Sequence, residues 1–222
     1  MKTCTCSAFS FFAMGLSLVL PILPASAQDI ELPTPVMKGG KPLLEVLKDR
    51  KTQRKLSDRE LTMAELSNLL WAADGITRPD GKRTAPTARN AQEIDLYVVL
   101  KDAVYLFDPA GNKLKLVLQQ DIRPIIGNQP FVSKAPLNIL MVLNGDKIDW
   151  VDTKEEKMRY AAVDSGFIGQ NIYLYCTSAG LSSVFRAAGI QREAVKSLLN
   201  LPESHEVLYA HTIGFPQEKS KE

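Results

Sequence analysis

The longest coherent pattern of apolar and polar positions runs from Thr153 to Gly180. Thr153, followed three residues later by Glu156, has the spacing of a capping box, which supplies acceptors to the orphan N–H groups of a helix start. Gly180 stands where a helix stops, because glycine takes the left-handed stop conformation without strain. The 26 residues between them predict a helix about 39 Å long at 1.5 Å per residue. Beyond two charged turns, Val163, Phe167, Ile168, Ile172, Leu174, Tyr175 and Cys176 go nearly all the way round, which predicts burial on every side. Ala161, Ala162, Gly166 and Gly169 are interleaved and would admit another backbone closely. Asp164, Gln170 and Asn171 interrupt the run and exclude a membrane span.

Shorter patterns surround this helix. Leu43 to Lys48 predicts a short helical piece, and Thr62 with Glu65 opens a helix with the stripe Leu66, Leu69, Leu70 and Ala73, closed by Gly75. Ile94 to Leu100 and Leu137 to Leu143 read as buried strands. Val104 to Phe107 and Lys113 to Leu118 flank a turn-forming Asp108–Asn112 and predict a hairpin. Ile122 to Ile126 is a helical candidate, Leu181 to Phe185 a short strand, Gln191 to Asn200 a helix ended by Pro202, and Val207 to Ile213 the last strand. Helices first, then strands interspersed with helices, predict an α+β fold: a mixed sheet flanked by helices around a long buried central helix. Residues 28–42 form a lead over the surface, 43–216 one domain and 217–222 a charged tail. Between Ile76 and Gln92 lie seventeen loop-like residues, a length unusual in a compact domain unless it is functional.

The N-terminus changes the picture. Lys2, an apolar core from Phe9 to Leu23 and the A-x-A site Ala25-Ser26-Ala27 predict a secretory signal peptide over residues 1–27, without twin arginines, and hence an exported, periplasmic protein. Removing 27 residues from 222 leaves 195, enough for one domain with a sizeable core. The leader carries one Lys and no acid, so a net charge of +2 becomes +1, which argues against nucleic acid as a partner. Cys4 and Cys6 leave with it. Cys176 alone remains, so no internal disulfide forms, and its apolar helix predicts an inert thiol.

Three stretches could carry chemistry. In an extended segment Arg50, Thr52 and Arg54 point to one side, so two guanidinium forks and a hydroxyl would converge as a phosphate monoester requires. Read alone, the same residues also suit a solvated basic turn. Pro86 to Gln92 offers a hydroxyl (Thr87), a guanidinium (Arg89) and two carboxamides (Asn90, Gln92), which both donate and accept as a flavin's pyrimidine edge demands; a polar surface loop is the alternative. Gly180-Leu181-Ser182-Ser183 is a turn where backbone N–H groups could approach a flat ligand. Dinucleotide, P-loop and nucleophile-elbow motifs are absent, and His205 and His211 lack partners at metal-ligand spacing, so no metal is expected.

Together these stretches resemble the nitroreductase family across about residues 43–216. DRKTQRKLSDREL is similar to its Arg-Arg-Ser-x-Arg opening, APTARNAQ to its Pro-Ser-x-x-Asn-x-Gln loop, KAPLNILMVL to its Ala-Pro strand, DSGFIGQNIYLYCTSAGLSS to its central helix and Gly-Leu-Gly turn, and TIGFP to its closing Ile-Gly-x-Pro. The hairpin is similar to that of the branch that includes the SagB-type azoline dehydrogenases. The resemblance implies an antiparallel-rich sheet and an FMN-dependent oxidoreductase. It also implies an intertwined homodimer with FMN at the subunit interface and a small-molecule electron acceptor such as a nitro compound or quinone. A specialised dehydrogenase on a peptide or small molecule, and a redox-inactive flavin-binding relative, are the alternatives. Carried over, Arg50, Lys51, Thr52 and Arg54 form the phosphate and ribityl segment, Thr87, Arg89, Asn90 and Gln92 the ring-facing loop, and Gly180, Leu181, Ser182 and Ser183 the turn by flavin N5. Hydride passes to N5 and on to the acceptor from one shared site, with Arg54 stabilising the reduced ring and no side-chain acid or base. Gly214-Phe215-Pro216 is followed by no arginine where many relatives carry a basic pair, and Arg89 replaces a commonly small residue.

Overall fold

The computed structural model describes Met1 and residues 28–217. The expected leader beyond Met1, its cleavage site at Ala27 and the tail from residue 218 lie outside the described residues. Seven strands, β1 (Ile30–Glu31), β2 (Ile94–Val99), β3 (Val104–Asp108), β4 (Lys113–Leu118), β5 (Leu137–Asn144), β6 (Ser182–Arg186) and β7 (His205–Gly214), form one sheet in the order β1-β4-β3-β2-β5-β7-β6. Every pairing is antiparallel, so the class is α+β, and the mixed character expected of the sheet is not found among the described residues.

β5 lies near the middle because both its faces are apolar. Leu137, Ile139, Met141 and Leu143 point to one layer, and Leu140 and Val142 to the other. The first layer is covered by α2 (Met63–Asp74) and α4 (Lys154–Ser178). The second lies under α3 (Pro130–Lys134), α5 (Arg192–Leu198) and the tight turn Arg123–Ile125. The lead from residue 28, expected as an arm, supplies the two-residue edge strand β1, which pairs Ile30 with Leu114. Asn112 Nδ2 then donates to the Leu32 and Pro33 carbonyls, each at 3.0 Å.

The helix ends follow the sequence. At α2 both halves of the capping box form: Glu65 N–H donates to Thr62 Oγ1 at 3.2 Å, and Thr62 N–H to Glu65 Oε2 at 2.8 Å. At α4 the Glu156 N–H donates to Thr153 Oγ1 at 3.2 Å. Its far end closes with Gly180 at φ 73° and the Leu181 N–H donating back to the Cys176 carbonyl at 2.7 Å.

Burial of α4 differs from the expectation. Ala161, Asp164, Ser165, Ile168, Gly169, Ile172 and Cys176 form one buried stripe, whereas Val163 is 55% and Phe167 45% exposed. The sheet covers one side of the helix, α1 and α2 pack against it as well, and among the described residues Val163 and Phe167 stay exposed. Gly169 does admit a close neighbour, but it is the Phe185 ring, 2.8 Å from where a Cβ would stand, rather than a backbone. Gly166 faces open space.

Ile172 and Leu70 are fully buried in the layer between helices and sheet. Truncating either to Ala should destabilise the fold by about 2–5 kcal/mol, read as a lower urea midpoint with an unchanged slope.

Candidate functional site

After α1 (Leu43–Asp49) the backbone runs extended through residues 50–54. Gln53 N–H donates to the Ser183 carbonyl at 3.3 Å, which lays this basic segment alongside the start of β6. Arg50 and Thr52 point to one side, as their two-residue spacing requires, and both reach Tyr173 of α4. The Arg50 guanidinium lies 5.3 Å from the ring centroid, and the Thr52 hydroxyl is 2.9 Å from the phenol oxygen. Phe185 N–H donates to the same phenol oxygen at 2.9 Å. Tyr173 therefore ties the basic segment, α4 and β6 together. Lys51 and Arg54 are exposed.

The turn beside this shelf is partly as expected. Nothing lies within 4 Å of the Cβ position of Gly180, so its outer side is open. Leu181, Ser182 and Ser183 are buried, and the Ser183 hydroxyl hydrogen-bonds inward to Cys176. The Ser183 hydroxyl is therefore turned into the fold, and its carbonyl is taken by the Gln53 N–H. Burial pushes the Cys176 thiol up to about 12, so no thiolate nucleophile exists there.

The loop at residues 86–92 is built for shape. Arg89, Asn90 and Gln92 all have positive φ (53°, 57° and 53°), a conformation that costs non-glycine residues energy and persists only where contacts impose it. Gln92 N–H donates to Thr87 Oγ1 at 3.0 Å, and the Gln92 amide donates to the Gly81 carbonyl (3.0 Å) and Asn90 Oδ1 (3.2 Å). Arg83 Nε donates to Gln92 Oε1 at 3.0 Å while its NH1 pairs with Asp74 at 2.7 Å. Thr87 and Gln92, expected as ligand-facing groups, thus hold the loop itself. Arg89 stacks on Trp150, 4.4 Å from the ring, and Asn90 is exposed. The Ala88 N–H donates to Asp164 Oδ2 of α4 at 3.3 Å.

One chain does not bring the two groups of residues together. Asp164, which meets the loop, and Tyr173, which meets the basic segment, are nine residues apart on α4: about 13.5 Å along the axis and two and a half turns round it, hence on opposite sides. Between those two sides lies the exposed stripe of Arg159, Val163, Phe167 and Gln170. A cavity of about 1070 Å³ opens at Leu56, two residues past Arg54, and runs past Leu61, Arg123 and Pro136, but none of the twelve expected residues lines it.

Sequence reasoning missed Tyr173, Arg83 and Asp74, whose roles depend on partners 9 to 121 residues away and leave no local pattern. The histidines are structural. His211 packs edge-on against Tyr173 and Phe185, with burial pushing its imidazole down to about 3, and His205 Nδ1 meets Ser204 Oγ at 3.2 Å.

An antiparallel α+β sheet with a long helix across one face, a basic extended segment at one end of that helix and an amide-rich loop at the other defines a class of fold that known proteins share. The sequence pattern of the nitroreductase family matches residues 47–215, and the chain belongs to that family of oxidoreductases. A Methanocaldococcus jannaschii protein, provisionally named as a nitroreductase, is 28% identical over 171 residues, covering 72% of this chain and 85% of its own. A crystal structure from Ralstonia eutropha JMP134, likewise provisionally named, is 34% identical with a TM-score of 0.82 over 90% of this chain and 94% of that one. The NADPH:FMN oxidoreductase of Vibrio harveyi, complexed with NAD+, shares the fold at 20% identity and a TM-score of 0.59, covering 81% and 70% of the two chains.

The Arg83–Asp74 pair is buried, and burial pushes Asp74 up to about 7 against the pull of the guanidinium. Arg83→Met removes the partner that pulls Asp74 down, so the unpaired carboxyl holds its proton to a pH above 7 and the variant should lose most stability, about 3–5 kcal/mol, only once that proton is lost at high pH. The cost should shrink at pH 5, where Asp74 keeps its proton. Urea melts at high pH and at pH 5 check this, and limited proteolysis should show faster cutting within 86–92.

Proposed function

We propose that the chain is an exported, FMN-dependent oxidoreductase that binds the flavin between two copies of itself and serves a small organic acceptor such as a nitro compound or a quinone. The observation that carries this reading is the placement of two half-sites on opposite sides of α4, with an exposed apolar stripe between them. A two-fold crossing of α4 helices centred on Phe167 would set Asp164 of one copy level with residue 170 of the other. The loop of one copy then approaches the basic shelf of its partner. Burying Val163 and Phe167 in that crossing contributes about 1.5–3 kcal/mol per side chain.

The donor set suits the cofactor. Arg50 and Thr52 stand side by side for a phosphate, Arg54 supplies positive charge to the pyrimidine edge, and the open side of Gly180 leaves room for a flat ring. Asn90 and the backbone of the strained loop supply donors and acceptors from the other copy, and Lys51 adds charge at the rim. When bound, FMN supplies hydride acceptance and donation at N5. The fold shared with a protein named as an NADPH:FMN oxidoreductase supports the choice of flavin. Apart from the membrane question (no helix among the described residues is long and apolar enough to span one), export rests on the leader sequence.

The mature protein should be yellow and bleach on chemical reduction. Arg50→Ala should weaken FMN binding about tenfold to a hundredfold, as the loss of a charge-assisted hydrogen bond worth roughly 1.5–3 kcal/mol requires, and leave riboflavin binding unchanged, whereas Arg54→Ala, which removes charge from the ring that both share, should weaken both. Thr52→Ala should cost less. Phe167→Glu should convert a dimer to a monomer by light scattering and abolish FMN retention. A colourless protein, or equal losses for FMN and riboflavin in Arg50→Ala, overturns the reading. N-terminal sequencing of the exported protein should begin at Gln28.

A further inference from the structure

We propose that the cavity beyond Arg54 is a second binding site, separate from the two half-sites on α4, for an uncharged molecule with an apolar body and a carbonyl-type acceptor. At about 1070 Å³ it stands at the upper end of small-molecule sites, which span roughly 300–1,000 Å³, so it has room for a ring system rather than an ion. Its apolar walls are Leu61 and Leu66 at the start of α2, Leu100 from the β2–β3 turn, and Pro136 and Leu137 at the head of β5. The side toward the basic segment is fixed by backbone pairing. Ser57 N–H donates to the Phe215 carbonyl at 2.9 Å, and Gln217 N–H to the Lys55 carbonyl at 3.1 Å.

Two polar side chains in this lining are more than nine-tenths buried: Tyr105 of β3, 6% exposed, and Arg123, 9% exposed. Arg123 Nε and Nη2 grip Asp121 at 2.9 and 2.8 Å, and Nη1 donates to the Ala135 carbonyl at 3.1 Å. Three of the five guanidinium N–H groups are spent in this way, which leaves two. The Tyr105 hydroxyl has no hydrogen-bond partner among the described residues. Burial, and Asp102 after it, push the phenol up, so the group stays a donor at neutral pH. Buried donors without an acceptor are costly, and a ligand oxygen relieves them. The unspent groups are donors, so the ligand brings the acceptor. Charge then decides its class. Asp121 already meets the guanidinium, and the lining sets Asp58, Glu60 and Asp102 against Lys101 and Lys134. Three acids to two lysines do not draw an anion, and a carboxylate on Arg123 would crowd Asp121. A neutral ketone, quinone, amide or ester oxygen takes the same donors without that repulsion.

Three naphthalenes of similar size test this. 2-Acetonaphthone carries a ketone, 2-ethylnaphthalene only the apolar body, and 2-naphthoate a negative charge. Each is equilibrated by dialysis with the mature protein in excess FMN, so that a flavin site is already filled. The ketone should bind once per chain and more tightly than the other two. Tyr105→Phe removes only the hydroxyl and should weaken the ketone about two- to tenfold, with the hydrocarbon unchanged. Arg123→Lys keeps a charge for Asp121, gives up the fork, and should also weaken the ketone alone. Ser133→Trp, at an exposed position of the lining, should fill the entrance and abolish binding of all three. A ketone bound no more tightly than the hydrocarbon overturns the proposal. So does binding that survives Ser133→Trp, or a ketone affinity that Tyr105→Phe leaves unchanged. The comparison among ligands is made on the parent, so it decides the matter even where a variant's urea midpoint shows a lost fold. A protein that binds the ketone but no FMN overturns the flavin reading alone.

Discussion

A helix lying on a sheet can bury only the stripe that faces the sheet and whatever its neighbouring helix covers, and α4 is long enough for this limit to shape the whole molecule. Its buried positions, from Ala161 through Ile168 and Ile172 to Cys176, lock it to the sheet. Tyr173 on one side receives the basic segment, Asp164 on the opposite side receives the loop, and the remaining face keeps Val163 and Phe167 in solvent. Neither half-site can migrate to the other without breaking the packing of the helix between them. In the dimer proposed above, a second copy would join them across the exposed face that lies between them.

The loop shows how a rigid site is made from residues that do not prefer its conformation. Three consecutive-region positive φ angles at non-glycine residues carry a cost of order 1–3 kcal/mol each, which the surroundings must offset. They do so through buried polar groups: Arg83 clamps Gln92 while paired with Asp74, and Asp164 takes the Ala88 N–H. Buried charges of this kind add little net stability, because desolvation consumes most of the attraction, but they fix one geometry out of many. The loop's shape thus depends in part on Asp74, whose carboxyl burial raises to about 7.

Much of this architecture is legible in the chain itself, because it depends on local rules. Capping at Thr62 and Thr153, the glycine stop at Gly180 and the two-sided apolar run of β5 each follow from a few neighbouring residues whose steric and hydrogen-bonding preferences leave one outcome. Order along the chain made the α+β class legible as well. Decisions that need distant partners are not encoded in any window. The pairing of Ile30–Glu31 with β4, the inward turn of Ser183 onto Cys176, the use of Gln92 as a brace and the meeting of Ala88 with Asp164 were decided by packing between segments 7 to 84 residues apart. Apolar residues all round α4 state only that the helix prefers to be covered. Which face the chain covers, and which it leaves exposed, is decided by how the sheet, α1 and α2 pack against α4, and that is a property of the tertiary structure alone.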